Sequence, residues 1–138
     1  MKKTNKKGFT LIELLAVIAI IAIIGAIATP NVIKLITSSN QDQILSDAKL
    51  AISKAKYQFR KDMDTSSSGK AYKVNELIES DNSYNNDSTV QVEPNGGKYI
   101  YKISISNGKY CIGWPNNYVT EETLLSSGKG VISDNCQN

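Results

Sequence analysis

The architecture follows from residues 9–29, FTLIELLAVIAIIAIIGAIAT, an apolar run of 21 residues that comes directly after Gly8. As an α-helix the run is roughly 31 Å long at 1.5 Å per residue, close to the hydrocarbon thickness of a bilayer. The tail before it carries four lysines: Lys2, Lys3, Lys6 and Lys7. Because such charges tend to stay in the cytoplasm, we expect a single membrane-spanning helix with a cytoplasmic N-terminus and the rest of the chain outside.

One charged side chain, Glu13, interrupts the apolar run. A carboxylate within a membrane helix costs on the order of 2.5–3.5 kcal/mol on insertion scales. A chain that needs only an anchor has no use for this residue. Glu13 therefore predicts a cationic partner.

Three simpler interpretations of the run compete with this one. A secretory signal peptide cut after Ala26-Ile27-Ala28 fits the small-x-small pattern, but the run exceeds the usual apolar core of about 7–15 residues, and Thr29-Pro30 would follow the cut. A plain uncleaved anchor leaves Glu13 unexplained. A buried core helix is the third, and a domain of this size has too little chain to surround an apolar helix on every side.

The basic leader ends in Gly8 and is followed by Phe9-Thr10-Leu11-Ile12-Glu13-Leu14-Leu15 and by the apolar run that reaches Pro30. This pattern resembles the N-terminus of type IV pilins and of their relatives, the pseudopilins of type II secretion and of competence. The resemblance implies cleavage between Gly8 and Phe9, methylation of the new Phe9 amine, and polymerisation into a helical filament. It also implies an ion pair between the Glu13 carboxylate and the Phe9 amine of a neighbouring subunit. Such a pair fixes the register between subunits more than it adds to their affinity.

The same resemblance implies the partners and the location of the protein. The partners are further copies or other pilins, a prepilin peptidase and methylase, an assembly platform and a motor. The subunit spans the cytoplasmic membrane before assembly and belongs afterwards to a surface pilus of the kind used in adhesion and twitching motility. Two alternatives remain: a pseudopilin of a secretion or DNA-uptake machine, and a membrane-tethered or secreted binding module.

The predicted organisation has three parts. Residues 1–8 are a cleaved leader, 9–30 a membrane-spanning or filament-core helix, and 31–138 an extracellular head domain. Within the head we expect an amphipathic helix to about residue 62, a variable loop over 63–97 with one helical turn at 74–80, a β-hairpin over 98–114, and a C-terminal loop over 115–138. Gly25 and Pro30 mark a kink in the helix, since Pro30 removes a backbone hydrogen bond.

The helix continues beyond the membrane segment as an amphipathic one. Apolar residues recur with a spacing of 3.6 residues: Ile33, Ile36, Ile44, Ala48, Ala51, Ile52, Ala55 and Phe59. The small alanines on this stripe predict close packing against a sheet. The fold class is therefore α+β, with a long helix packed on a small antiparallel sheet.

A β-hairpin is the clearest local pattern in the head. Residues 98–106 alternate, Asn107-Gly108 is typical of a two-residue type I′ turn, and residues 109–114 return. With that turn Ser106 pairs with Lys109, and three apolar pairs share one face: Ile105 with Tyr110, Ile103 with Ile112, and Tyr101 with Trp114. Val90-Gln91-Val92 is expected as the neighbouring strand, joined to the hairpin through Asn95-Gly96-Gly97.

Cys111 and Cys136 are the two cysteines of the chain. Outside the cytoplasm they would form a disulfide, which contributes ~3–4 kcal/mol in the chain-entropy model. Many pilins close their C-terminal loop in this way. Two free thiols are the alternative, because compartment is the only argument for oxidation.

Composition bears on the remaining function classes. The chain has 16 basic and 13 acidic side chains, and removal of the four leader lysines leaves 12 against 13. This balance argues against a nucleic-acid surface, which needs a clustered basic face. Histidine is absent and two cysteines are too few for a zinc site. No catalytic motif emerges, so we expect a non-enzyme without metal, cofactor or small-molecule substrate.

Overall fold

A single long helix begins the fold. In the computed structural model, which describes residues 8–62, 69–79 and 84–136, helix α1 spans Leu11–Asp62. The chain divides into two compact units, Met1–Ser38 and Ser39–Asn138. The expected leader residues 1–7, with their lysines, lie outside the described part.

The first unit consists of the apolar part of α1. Every Phe, Leu, Ile and Val side chain between Phe9 and Ile36 is at least 48% exposed. By length and composition, α1 is able to cross a membrane. The first unit therefore presents its apolar surface in every direction.

The second unit is an antiparallel sheet with the C-terminal part of α1 in its core. The strands are β1 (Lys70–Lys73), β2 (Thr89–Asn95), β3 (Lys98–Ser106), β4 (Cys111–Ile112), β5 (Val119–Thr120) and β6 (Ile132–Ser133). Their order is β1-β2-β3-β4-β6, and β5 also pairs with β3. Two short helices, α2 (Val74–Leu77) and α3 (Glu121–Ser127), and a 3₁₀ turn at Gly128–Val131 complete the unit. The α+β prediction is confirmed.

The stripe on α1 is confirmed over its C-terminal part only. Its buried residues are Ile44, Leu45, Ala48, Ala51, Ile52, Ala55 and Phe59. They share one cluster with strand residues such as Val90, Val92, Ile103 and Ile105. Ile33 and Ile36, which the periodicity had placed on the covered face, are exposed because they belong to the first unit, whose described part, residues 8–38, is almost entirely helix α1.

The predicted hairpin register is wrong by two residues. β3 and β4 pair at Ile105↔Ile112 and Ser106↔Cys111, so the turn contains four residues, 107–110. The Asn107 side chain causes this turn: its Oδ1 accepts hydrogen bonds from the backbone N–H of Lys109 (3.0 Å) and of Tyr110 (2.8 Å). A shift of two residues keeps every side chain on its predicted face.

The return strand is also shorter than predicted, and Trp114 does not pair with Tyr101. Gly113 has φ +62°, and a Cβ there would lie 2.8 Å from the carbonyl oxygen of Ile103. The chain leaves the sheet at this glycine, and β5 takes the place of the expected partner, pairing Val119 with Ile103.

The segment 63–97 is more ordered than the predicted variable loop. Strand β2 matches the neighbouring strand that was expected. It is joined to β3 by the two-residue turn Gly96-Gly97, in which both glycines have positive φ. The predicted helical turn appears as α2 over Val74–Leu77. β1 was not predicted, because in Lys70–Lys73 only Tyr72 is buried and the strand has no apolar alternation. Residues 63–68 and 80–83 of this expectation lie outside the described residues.

Candidate assembly site at the N-terminus of α1

Thr10 and Glu13 form a reciprocal cap at the start of α1. Glu13 Oε2 accepts hydrogen bonds from the backbone N–H of Thr10 at 2.8 Å and from its hydroxyl at 2.9 Å. The backbone N–H of Glu13 donates in turn to the Thr10 hydroxyl, with an N···O distance of 3.4 Å. This is the capping-box arrangement, which satisfies amide groups that the first helical turn leaves without partners.

The cap uses one of the two carboxylate oxygens of Glu13. Both hydrogen bonds go to Oε2, and within residues 8–62, 69–79 and 84–136 Oε1 has no hydrogen-bond partner. The two donor groups on Thr10 are neutral, so they stabilise the carboxylate without neutralising its charge. The site is therefore able to accept a further donor, and a cationic one would fit it best.

Sequence reasoning assigned Glu13 to an intermolecular role and missed this local one. The signal was present, since Thr10-x-x-Glu13 before an apolar run is the sequence form of a capping box. The cap explains how the first turn tolerates a carboxylate. The cationic partner expected for Glu13 stays a prediction.

The proposed cleavage point is open to an enzyme. Gly8 and Phe9 precede α1, both are exposed, and the Phe9 side chain is 89% exposed. A Cβ built on Gly8 meets nothing within 4 Å. The fold itself thus gives no reason for glycine at this position, which agrees with a requirement imposed by an external partner.

Comparison with known proteins identifies this end of the chain. Residues 3–29 match the family model of the prokaryotic N-terminal methylation motif. The chain carries a class III prepilin leader. Such leaders belong to type IV pilins and pseudopilins, so the resemblance seen in the sequence is confirmed. Neither the curated proteins nor the solved structures that were compared give a match.

The prepilin leader supports a coarse function. It implies processing by a prepilin peptidase and assembly into a filament, and with the apolar helix it suits membrane anchoring before assembly. It indicates a structural protein. The match covers about a fifth of the chain, and it does not distinguish a pilus from a secretion or competence machine.

The expected kink lies in an unbroken helix. Pro30 is inside α1, and the Thr29 hydroxyl donates to the carbonyl oxygen of Gly25 at 2.5 Å. Such a bond back to the fourth preceding residue often accompanies a bend, as does the hydrogen bond that Pro30 removes. The kink at Gly25 and Pro30 stays a prediction.

The two cysteines are joined in the second unit. A disulfide links Cys111 in β4 to Cys136, with the Cα atoms 5.7 Å apart. β6 pairs with β4 between them, with Ser133 opposite Cys111. The disulfide and the pairing of β6 with β4 thus fasten the segment after β5 to the sheet at two neighbouring points.

Proposed function

We propose that this protein is a structural, non-catalytic subunit of a type IV pilus, which polymerises through residues 9–30 into a filament at the cell surface. The observation that carries the proposal is a prepilin leader on a helix whose large apolar side chains are all exposed from Phe9 to Ile36. An apolar surface of this extent needs cover. Lipid supplies it before assembly, and other copies supply it in the filament.

Glu13 favours transfer of the helix from the bilayer into the filament. Apolar helices gain little from association in lipid, because lipid tails are as apolar as the helices. The carboxylate differs, since it costs on the order of 2.5–3.5 kcal/mol in hydrocarbon. That cost falls when a neighbouring copy supplies a cation.

Cleavage between Gly8 and Phe9 produces the cation. The new α-amine of Phe9 is positively charged, and methylation keeps the charge. In our proposal the prepilin peptidase and methylase carry out both steps, and Glu13 Oε1 accepts the amine of the next copy. Thr10 keeps its amide N–H after cleavage, so the cap and the intermolecular pair coexist on one carboxylate.

An assembly platform and a motor are the further partners in this proposal, and the filament serves adhesion or twitching motility. Repeated head-to-tail contacts of one kind produce a helical fibre when the rotation between copies does not close a ring. A pseudopilin of type II secretion or competence has the same N-terminus. The two differ in where the fibre lies, in the envelope or at the surface.

Intact-mass spectrometry of material sheared from the cell surface tests the proposal. We expect a polypeptide that begins at Phe9 and carries one added methyl group. Fibres retained within the envelope, with the same mass, would favour the pseudopilin. A chain cut after Ala28, or one that is not cut, would favour the membrane-tethered or secreted binding module and contradict the filament.

A further inference from the structure

Over residues 46–61, the exposed charges on the outer side of α1 are all positive. Between positions 46 and 61 the exposed residues are Ser46, Lys49, Leu50, Ser53, Lys54, Tyr57, Arg60 and Lys61. Four of these eight are basic and none is acidic. We call this surface the basic face.

The charges of the basic face lie in two rows. At about 100° per residue, Lys49 and Arg60 fall on one flank of the helix, and Lys54 and Lys61 fall on the other. Leu50 and Tyr57 run between the rows, opposite the buried stripe, and are 44% and 70% exposed. A pair of apolar side chains between two rows of cations is a surface suited to an acidic protein partner.

The four cations have no ion-pair partner in the described part of the chain. Other lysines of this unit do: Lys56 with Glu121 at 2.5 Å, Lys70 with Asp62 at 2.6 Å, Lys102 with Glu93 at 2.5 Å and Lys129 with Asp42 at 2.8 Å. Lys54 borders a groove that Glu76 and Glu79 also line, but neither is within ion-pair distance of it. Four cations without counter-ions make the potential at this face positive, so an external acidic group would stabilise it.

The rest of the same unit carries an excess of acidic charge. Residues 39–138 contain 12 acidic and 11 basic side chains, so outside the four basic-face cations the unit has five more acidic than basic groups. Five exposed carboxylates have no ion-pair partner among the residues described: Glu76, Glu79, Asp87, Glu122 and Asp134. One copy thus offers the charge that the basic face of another copy lacks.

We infer that the basic face docks on exposed carboxylates of a second copy and sets contacts between head domains in the assembled filament. The inference rests on the proposed function. A nucleic acid is the other chemistry that a row of cations suggests, but residues 39–138 have one more acidic than basic side chain, and most of their surface would repel a polyanion. The two contacting surfaces differ, so the contact is heterologous and is able to repeat along a filament.

Photocrosslinking from the centre of the face tests the contact directly. Tyr57 is replaced by p-benzoylphenylalanine, which keeps an aromatic ring at the exposed position, and purified filaments are irradiated. We expect a covalent dimer in which the adduct lies on a peptide bearing one of the five carboxylates. If filaments form and irradiation gives no dimer, or an adduct only on peptides remote from those carboxylates, the inference is wrong.

Charge reversal with a matched control separates this inference from the proposed function. The double variant Lys54→Glu/Lys61→Glu should lower filament yield at least tenfold, whereas Lys73→Glu/Lys98→Glu, with the same change in net charge at exposed positions off the face, should not. Urea unfolding with a midpoint close to that of the wild type shows that both variants fold.

The remaining outcomes are equally decisive. Absence of filaments from the wild-type protein would remove the proposed function and this inference together. Normal filaments from Lys54→Glu/Lys61→Glu would remove only the inference. If those normal filaments also lose retention of double-stranded DNA on a filter, the basic face is a polyanion site instead.

Discussion

The side chains of Thr10 and Glu13 hold each other at the first turn of α1, with the Thr10 hydroxyl 2.9 Å from Glu13 Oε2. The carboxylate thus has a structural role within its own chain before any second copy is considered. The other oxygen, Oε1, faces no hydrogen-bond donor of the described residues. The cap and the proposed intermolecular pair make different demands on this residue, because the cap needs an acceptor and the pair needs a charge.

Substitutions at Glu13 separate the two demands. Glu13→Gln keeps a carbonyl oxygen that is able to complete the capping box, but it removes the charge. Glu13→Ala removes both. If the intermolecular pair operates, both variants should be cleaved and inserted in the membrane, and both should yield few filaments by electron microscopy of sheared material.

Thr10→Val is the matched variant for the cap alone. It removes the hydroxyl and keeps the Glu13 charge, and loss of an N-cap side chain costs about 0.5–2 kcal/mol of helix stability. Its filament yield should exceed that of Glu13→Gln. Normal yield from Glu13→Gln refutes the charge role, and low yield from Thr10→Val beside it would assign the effect of Glu13 to the cap.

The pair between Asp62 and Lys70 predicts a pH dependence of stability in the second unit. It joins the end of α1 to the start of β1, with a distance of 2.6 Å from Lys70 Nζ to Asp62 Oδ2. The hydrogen bond from Lys70 lowers the pKa of Asp62, and the hydrogen bond to Asp62 raises the pKa of Lys70. A lowered acid pKa stabilises the fold above the unfolded value of about 3.9, and a raised lysine pKa does so below about 10.4.

Lys70→Gln tests this dependence. The variant should be less stable than the wild type at pH 7, and the difference should shrink as the pH falls through the folded pKa of Asp62. Urea unfolding at several pH values measures the difference, and an NMR titration should show the pKa of Asp62 moving up toward its ordinary value. Lys73→Gln, at an exposed position on the same strand, is the control. If the difference in the free energy of unfolding between wild type and variant is independent of pH, the Asp62–Lys70 pair does not cause it.

The disulfide predicts a local loss of order when it is removed. Cys111→Ala/Cys136→Ala should lower the free energy of unfolding by ~3–4 kcal/mol in the chain-entropy model. Alanine is preferable to serine, because Cys111 is buried and a hydroxyl there would need a partner. Proteolysis should then begin within residues 128–136, which the bridge fastens to β4. Reduction of the wild-type protein should reproduce the variant, and equal protease resistance of the two forms would argue against the bridge as a clamp.

The sequence predicted the elements of the second unit better than their register. The pattern of Ile103, Ile105 and Ile112 places these side chains on one face, and they are buried there. Two registers that differ by two residues give the same faces, so the pattern could not choose between them. The choice is made by Asn107 Oδ1, whose acceptance of two backbone N–H groups is a property of the folded turn.

The candidate sites were also only partly predictable from the sequence. The prepilin leader was recognisable because its residues are contiguous, from the basic tail through Glu13. The basic face was not, since the head is nearly neutral in composition and its cations separate from its carboxylates only when exposure along α1 is known. The spacing of 3.6 residues places Lys49 and Lys54 away from the apolar stripe, but it does not show which charges around the helix stay exposed and which form ion pairs.

Gly113 and Gly108 form a matched pair for the last prediction. Both have positive φ, +62° and +84°, so alanine at either position takes a backbone conformation that costs roughly 1–2 kcal/mol. A Cβ on Gly108 meets nothing within 4 Å, whereas one on Gly113 would lie 2.7 Å from the carbonyl oxygen of Asn117 and 2.8 Å from that of Ile103. Gly113→Ala should therefore lower the free energy of unfolding in urea by clearly more than Gly108→Ala does. Equal losses would show that β3 and the segment after Gly113 are not packed against this glycine, and the placement of β5 beside β3 would have to be revised.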